Sequence, residues 1–218
     1  MMFRDRADAG RRLAERFQGR LFHNPLVLGL PRGGVEVAYE IASAINAPLD
    51  VVPARKLGAP QQPELAIGAV APGAAILNRR LIKHLGLSDR DVKQVIEQEE
   101  LEMARRGKLF RSGRPPLEVK GKTVILVDDG LATGSTAAAA IDSVRAGGPH
   151  AIILAVPVGA VDTVERLRQQ VDEVICLETP EEFRAVGEWY QHFDQTSDRR
   201  VIDLLAEAAS ASGRAETS

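Results

Sequence analysis

The chain carries a single cysteine, Cys176, among 218 residues. No intramolecular disulfide can form, which fits a reducing compartment. No apolar run approaches the ~20 residues that span a bilayer. Neither sign of charge prevails: 28 Lys and Arg face 30 Asp and Glu, for a formal net charge of -2. That balance argues against nucleic-acid binding driven by bulk charge, although a local basic patch stays open. The four histidines, His23, His84, His150 and His192, show no metal-ligand spacing and give no zinc site. The first twenty residues hold six Arg, but Asp5, Asp8 and Glu15 interrupt them and no apolar core follows. They read as an amphipathic helix rather than a signal peptide, and the expected location is the cytoplasm.

Apolar residues at 44% and charged residues at 27% are the proportions of an ordinary soluble domain with a full core. Ala9, Leu13, Ala14 and Phe17 recur at helical spacing within Asp5 to Gln18, giving a docking helix. Pro25 to Leu30 reads as a buried strand, Val35 to Ile45 as a helix and Leu49 to Ala54 as a second strand. Lys56 to Glu64, rich in Gly, Pro and Gln, reads as a loop. Leu65 to Val70 and Ala74 to Leu77 flank Ala71-Pro72-Gly73 as a hairpin. Ser88 and Asp91 form a capping box ahead of a charged helix running to about Lys108. Thr123 to Val127 is the clearest buried strand. A small-residue helix to about Ala146, a strand from Ala151 to Val156, a helix from Val161 to Gln170 and a last strand from Glu173 to Leu177 complete the alternation. Alternating strands and helices predict an α/β fold around a mainly parallel sheet. One domain over 1–205 is expected, with 206–218, small and polar, as a flexible tail.

The segment Val127-Asp-Asp-Gly-Leu-Ala-Thr-Gly-Ser-Thr136 concentrates the chemistry. A buried strand delivers two adjacent carboxylates to its C-terminal end, the edge where open parallel sheets bind ligands. A tight loop with Gly130 and Gly134 then enters a helix, whose first N–H groups and positive dipole end suit a phosphate. Thr133, Ser135 and Thr136 add hydroxyls. Acceptors at one end and anion donors at the other match a ribose 5-phosphate. A Walker A loop would need a Lys after Gly134, and neither a G-x-G-x-x-G nor a G-x-S-x-G pattern occurs. A receiver domain shares the acidic pair but lacks the Thr-Gly-Ser-Thr loop. A plain strand-to-helix turn with solvated Asp is the alternative that makes no use of these residues.

Val124 to Thr136 resembles the phosphoribosyl-pyrophosphate signature of the type I phosphoribosyltransferases. Ala132-Thr133-Gly134 is closest to the adenine form. Leu30-Pro-Arg-Gly-Gly34, Val52 to Pro60, Ala155 to Val158 and Phe183 to Tyr190 extend the likeness to bacterial members of unassigned substrate, over most of the chain. The resemblance implies the type I fold, a mostly parallel sheet flanked by helices with a small hood. It also implies Mg²⁺-dependent transfer of a 5-phosphoribosyl group from phosphoribosyl pyrophosphate to a nitrogenous acceptor, releasing pyrophosphate. Asp128 and Asp129 inherit the ribose hydroxyls. Ala132, Thr133, Gly134, Ser135 and Thr136 inherit the 5-phosphate. Arg32, Gly33 and Gly34 inherit the pyrophosphate, in a loop that in relatives often holds a non-proline cis peptide; Leu30–Pro31 is the other bond that can be cis. Arg55 and Lys56 inherit contacts to the leaving pyrophosphate, and Lys56 to Ala66 would be the lid.

One departure stands out. Hypoxanthine–guanine enzymes carry an acidic residue at the position of Ala132, so help for the acceptor's proton must come from elsewhere, with Glu64 the candidate carboxylate. Pro157-Val158-Gly159 would form part of the acceptor pocket. Trp189 and Tyr190, near Phe183 and Phe193, would stack on the acceptor or simply pack the hood. Cys176 reads as core, and the helix after Ser88 as a solvated surface or a homodimer contact. A non-catalytic nucleotide or donor sensor of the same fold is the rival reading, kept open by Arg11-Arg12, Arg105-Arg106 and Arg199-Arg200.

Overall fold

The computed structural model describes residues 2–215, with side chains through Ala211. Its centre is a five-stranded sheet in the order β2-β1-β6-β7-β8. The strands are β1 (Pro25–Gly29), β2 (Leu49–Val51), β6 (Thr123–Val127), β7 (Ala151–Val158) and β8 (Glu173–Glu178), and every pairing is parallel. Strands buried on both faces need apolar residues at successive positions, and all five residues of β6 are buried. Helices cover both faces. On one side α1 (Arg6–Ala14), α2 (Gly33–Ala44) and α7 (Asp198–Ala215) pack Leu13, Ile41 and Leu204 against Val27, Ile125 and Val127. On the other, α5 (Ser135–Ala146) and α6 (Val161–Arg168) set Ile141 and Leu167 against Leu126 and Leu154. The period of two along β6 thus assigns alternate side chains to opposite cores.

Chain direction around β1 and β6 locates the functional edge. From β1 the chain crosses to β2 on one side, while from β6 it crosses to β7 on the other. The β1–β6 boundary is therefore the topological switch point, where a crevice opens beyond the carboxyl ends of the strands.

A second, antiparallel sheet of β3 (Arg55–Ala59), β4 (Gln62–Ala71) and β5 (Ala74–Leu77) forms the hood with α3 (Arg79–His84) and α4 (Asp89–Phe110). Leu57, Ile67, Val92 and Met103 make its own core. The capping box at α4 is present: Ser88 Oγ accepts from Asp91 N at 3.2 Å and Asp91 Oδ2 accepts from Ser88 N at 2.9 Å.

Two expectations are corrected here. Lys56 to Glu64 is strand, turn and strand rather than loop. Its Gly58 marks a close crossing, since a Cβ there would lie 2.8 Å from Pro63 Cα. The chain from Ala206 onward is helical rather than irregular: α7 continues to Ala215 and Ala208 joins the core. The remainder of the expected tail, 216–218, lies outside the described residues.

Ala69 and Ala71 of the hood pack into the sheet–α5 core, and one buried ion pair adds a polar fastening. Asp50 on β2 accepts from Arg111 Nε at 2.8 Å, just past α4, and from the N–H groups of Val51 (2.8 Å) and Leu117 (2.9 Å). Arg111 also donates to the Val51 carbonyl at 2.6 Å. Removing one member of a buried pair strands the other charge. Asp50→Ala is therefore expected to cost about 3–5 kcal/mol, read as a shift in urea denaturation midpoint; a change within error would show the pair to be dispensable.

Candidate functional site

The crevice is assembled from two loops that leave adjacent strands. After β1, Leu30 N donates to the Val127 carbonyl at 2.8 Å, which keeps the first loop against the end of β6. A cis peptide joins Pro31 to Arg32, and α2 begins at Gly33. Both glycines here are required by space. A Cβ on Gly34 would stand 2.7 Å from the Val127 carbonyl oxygen and 2.8 Å from Asp128 Cα, and one on Gly33 would run into the Asp129 carboxylate. The second loop follows β6 through Asp128, Asp129 and Gly130 to α5. Gly134, at φ +66°, caps that helix in a left-handed conformation, which favours glycine.

Each loop ends at a helix start whose N–H groups lack intrahelical partners. Among the described residues, no protein acceptor takes the backbone N–H groups of Arg32, Gly33 and Gly34, or of Ala132, Thr133, Gly134, Ser135 and Thr136. The carbonyl side of the second loop, by contrast, is tied down from outside. Thr163 Oγ1 on α6 donates to the Ala132 carbonyl at 2.7 Å, and Arg166 donates to the Thr133 carbonyl at 2.6 Å. Open amides and positive dipole ends make both loops anion-receptive.

Between them sit the two carboxylates. Asp129 N donates to Asp128 Oδ1 at 2.9 Å. Burial, reinforced by the neighbouring Asp129 charge, pushes the Asp128 carboxyl well above the usual carboxylate range. Burial raises Asp129 too, while Arg6 counters it. Arg6 Nε contacts Asp129 Oδ2 at 2.7 Å, and Tyr190 Oη donates to the Asp129 carbonyl at 2.6 Å. Trp189 Nε1 is buried without a hydrogen-bond partner among the described residues.

The structure thus brings together Asp128, Asp129, Gly33, Gly34 and the loop 132–136. Arg32 stands at the start of α2 with its guanidinium 3.4 Å from Asp198. Arg55 and Lys56 lie on β3 in the hood, where Arg55 is engaged by Glu99 of α4. Lys56 Nζ is 3.5 Å from Glu64 Oε2, and the Glu64 side chain is fully exposed. No contact joins Glu64 to the carboxylate pair or to the second loop. The Cys176 thiol on β8 is pushed up to about 11 by burial. Sequence spacing marks Arg6 only as part of a docking helix, and Tyr190 only as a ring. Arg6 does carry a signal, being a charge on the same helical stripe as Ala9 and Leu13. No group of three or more His, Cys, Asp or Glu among the described residues is arranged to hold a metal ion.

The class is an α/β protein with an open parallel sheet whose switch point carries an acidic pair and two loops with open amides. The chain belongs to the phosphoribosyl transferase family, whose model, described as "Phosphoribosyl transferase domain", matches residues 4–192. Two Mycobacterium tuberculosis proteins, named "Putative phosphoribosyl transferase Rv0571c" and "Putative phosphoribosyl transferase MT0597", are each 46% identical over 208 residues, covering 95% of this chain and 47% of theirs. The chain spans about half the length of these curated relatives. The crystal structure of TT1426 from Thermus thermophilus is 40% identical with a TM-score of 0.79, covering 95% of this chain and 99% of that one. AQ2163 from Aquifex aeolicus, at 12% identity and a TM-score of 0.52, covering 84% and 78%, shares the fold. The type I fold expected from the signature is the fold observed. Among the described residues no helix is long and apolar enough to cross a membrane.

Two outcomes are expected. Gly134→Ala should destabilise by at least ~1 kcal/mol, because the left-handed backbone disfavours a side chain and the new Cβ would lie 2.6 Å from Thr163 Cγ2; chemical denaturation reads it. The Asp128 carboxyl binds its proton more tightly folded than unfolded, so stability falls as pH rises from the ordinary carboxyl range through the native value. Asp128→Asn should therefore raise the melting temperature at pH 7–8, with the gain shrinking toward pH 4. A gain that persists undiminished at acid pH would contradict the assigned shift.

Proposed function

We propose that the chain transfers a 5-phosphoribosyl group from phosphoribosyl pyrophosphate to a nitrogenous, base-like acceptor. The observation that carries this reading is the pairing of two open-amide loops, each at a helix start, across the Asp128–Asp129 carboxylates. The donor has two anionic groups with a diol between them, and the crevice offers the complementary order. The N–H groups of Ala132 to Thr136, with the Thr133, Ser135 and Thr136 hydroxyls, hold the 5-phosphate. Asp128 and Asp129 accept from the ribose hydroxyls. The N–H groups of Arg32, Gly33 and Gly34 and the Arg32 fork receive the pyrophosphate.

The bond from ribose C1 to pyrophosphate breaks early, and the sugar gains oxocarbenium character that the nearby carboxylates stabilise, as in glycoside chemistry. The acceptor nitrogen forms the new bond on the opposite face as pyrophosphate departs with the electron pair. Donors preorganised toward the leaving group are worth ~3–4 kcal/mol each. Arg55 and Lys56 supply further cations from the hood once they exchange Glu99 and Glu64 for pyrophosphate oxygens, with the 56–66 hairpin as the closing element. Mg²⁺ favours substrate phosphates and water over all-protein cages; when bound, it would neutralise charge on the pyrophosphate. Glu64, already facing Lys56, would reach the acceptor's proton only on closure. The Phe183–Phe193 segment, with the unpartnered Trp189 indole, is the proposed acceptor wall, together with Pro157-Val158-Gly159.

The rival, a non-catalytic sensor that regulates nucleic acid, would need a continuous basic face. Arg11 pairs with Glu40, Arg12 with Asp8, Arg105 and Arg106 share Glu102, and Arg199 pairs with Asp203. The three arginine clusters are thus dispersed among carboxylates, which favours the transferase reading.

Calorimetry should show wild type binding phosphoribosyl pyrophosphate with Mg²⁺, and the Asp128→Asn, Asp129→Asn double variant failing to do so. A panel of purines, pyrimidines, nicotinate and anthranilate should release pyrophosphate with at least one acceptor. Absent donor binding by wild type would overturn the reading; binding with no turnover across the panel would transfer weight to the sensor.

A further inference from the structure

The proposed reaction leaves one buried cation of the crevice unassigned. Arg6 projects from the first turn of α1 with its side chain 9% exposed, and its partner Asp129 is 17% exposed. Its Nε lies 2.7 Å from Asp129 Oδ2, its Nη1 donates to the Asp194 carbonyl at 2.7 Å, and the guanidinium carbon stands 3.9 Å above the Phe193 ring. A Cβ on Gly33 would come within 2.6 Å of Arg6 Nε, so the guanidinium also abuts the first loop. An exposed pair contributes little, but this one is screened from water on several sides.

The seat of Arg6 is made by two distant pieces of chain. Phe3 N donates to the Trp189 carbonyl and Gln191 N to the Phe3 carbonyl, both at 2.8 Å, and His192 N donates to the Arg4 carbonyl at 2.9 Å. Residues 3–4 and 189–192 therefore run together before α1 turns Arg6 inward. Tyr190 in the same segment holds the Asp129 main chain through its 2.6 Å hydrogen bond. Phe193 stacks on Tyr190 with ring centroids 4.9 Å apart. Side chain and backbone of one aspartate are thus clamped by a single unit.

We propose that Arg6 is a positioning residue for the donor site, fixing the orientation and negative charge of Asp129 so that it stands ready to accept a ribose hydroxyl. This rests on the reading of Asp129 as a ribose contact. Arg6 occupies one of the roughly four lone-pair sites of the carboxylate, leaving others for hydroxyls. The ionisable groups that face Asp129 are Arg6 from α1, Asp128 beside it, Glu36 from α2 and the Tyr190 phenol. Arg6 is the cation in that set. Without it, three carboxyls share a shielded crevice, and a proton would take its place on the pair, converting an acceptor oxygen into a donor that competes with the hydroxyl.

The test has two independent arms. In the first, ¹³C carboxyl NMR follows the titration of the Asp128–Asp129 pair in wild type, Arg6→Gln and Arg6→Lys, with Asp129→Asn for assignment. The midpoint of the Asp129 resonance should rise by about one pH unit or more in Arg6→Gln and return most of the way in Arg6→Lys. An unmoved midpoint in a folded Arg6→Gln overturns the proposal whatever the ligand. In the second, calorimetry with phosphoribosyl pyrophosphate and Mg²⁺ should show roughly tenfold or greater loss of affinity in Arg6→Gln, recovered in part by Arg6→Lys and diminishing as pH rises. A wild type that binds no donor fails the transferase reading while leaving the first arm decisive for Arg6. If Arg6→Gln does not fold, Phe193→Leu takes its role by removing the ring beneath the guanidinium. It should raise the Asp129 midpoint in the same direction, and no change there overturns the assignment.

Discussion

Everything at the functional edge depends on how closely two neighbouring strand ends can approach. β1 and β6 pair in register through Gly29 and Val127, and the chain continues from each into a helix start. The start of α2 can approach the end of β6 only because residues 33 and 34 have no side chains. Any Cβ there would occupy the space of the Asp128–Asp129 segment. The glycine pair is thus a distance constraint as much as a source of backbone freedom. It brings one set of unpartnered amides against the carboxylates, while Gly134, in its left-handed conformation, opens α5. Electrostatic preorganisation of this kind matters most where water is scarce and the dipoles need not move.

The hood depends on a different principle. Its cations are present but engaged: Arg55 with Glu99, Lys56 with Glu64, and Arg111 with Asp50. Only the last is deeply buried. The first two pairs are partly solvated and therefore exchangeable at modest cost. The buried pair ties the end of α4 to β2, and the cations of the two more exposed pairs, Arg55 and Lys56, lie side by side on β3. Burial thereby separates a structural ion pair from two that are more open to solvent.

Much of this is legible in the sequence, and the reasons are local. β6 and the loop after it can be read because an all-apolar strand, two carboxylates, glycines and hydroxyls fall in thirteen consecutive residues, each with a role set by its neighbours. The capping box at Ser88 is equally local. Lys56 to Glu64 passes for loop in composition because glycine and proline ordinarily punctuate structure, whereas Gly58 here permits a close crossing opposite Pro63. α7 runs past Ala206 because Val201, Leu204, Leu205 and Ala208 recur at helical spacing onto the core, a pattern that small, polar composition obscures. Arg6 illustrates the other limit. Its partner Asp129 is 123 residues away, and only the oddity of a charge on an apolar stripe marks it.

The second loop is fastened from behind. Thr163 and Arg166 take its carbonyls, so its peptide planes are already turned with their amides outward before any anion arrives. Under the proposed reading, a phosphate would meet dipoles of fixed orientation, with little refolding to oppose capture. α6 accordingly serves as an external splint for the loop, and the hold on its peptide planes originates on the opposite side of the loop from its open amides.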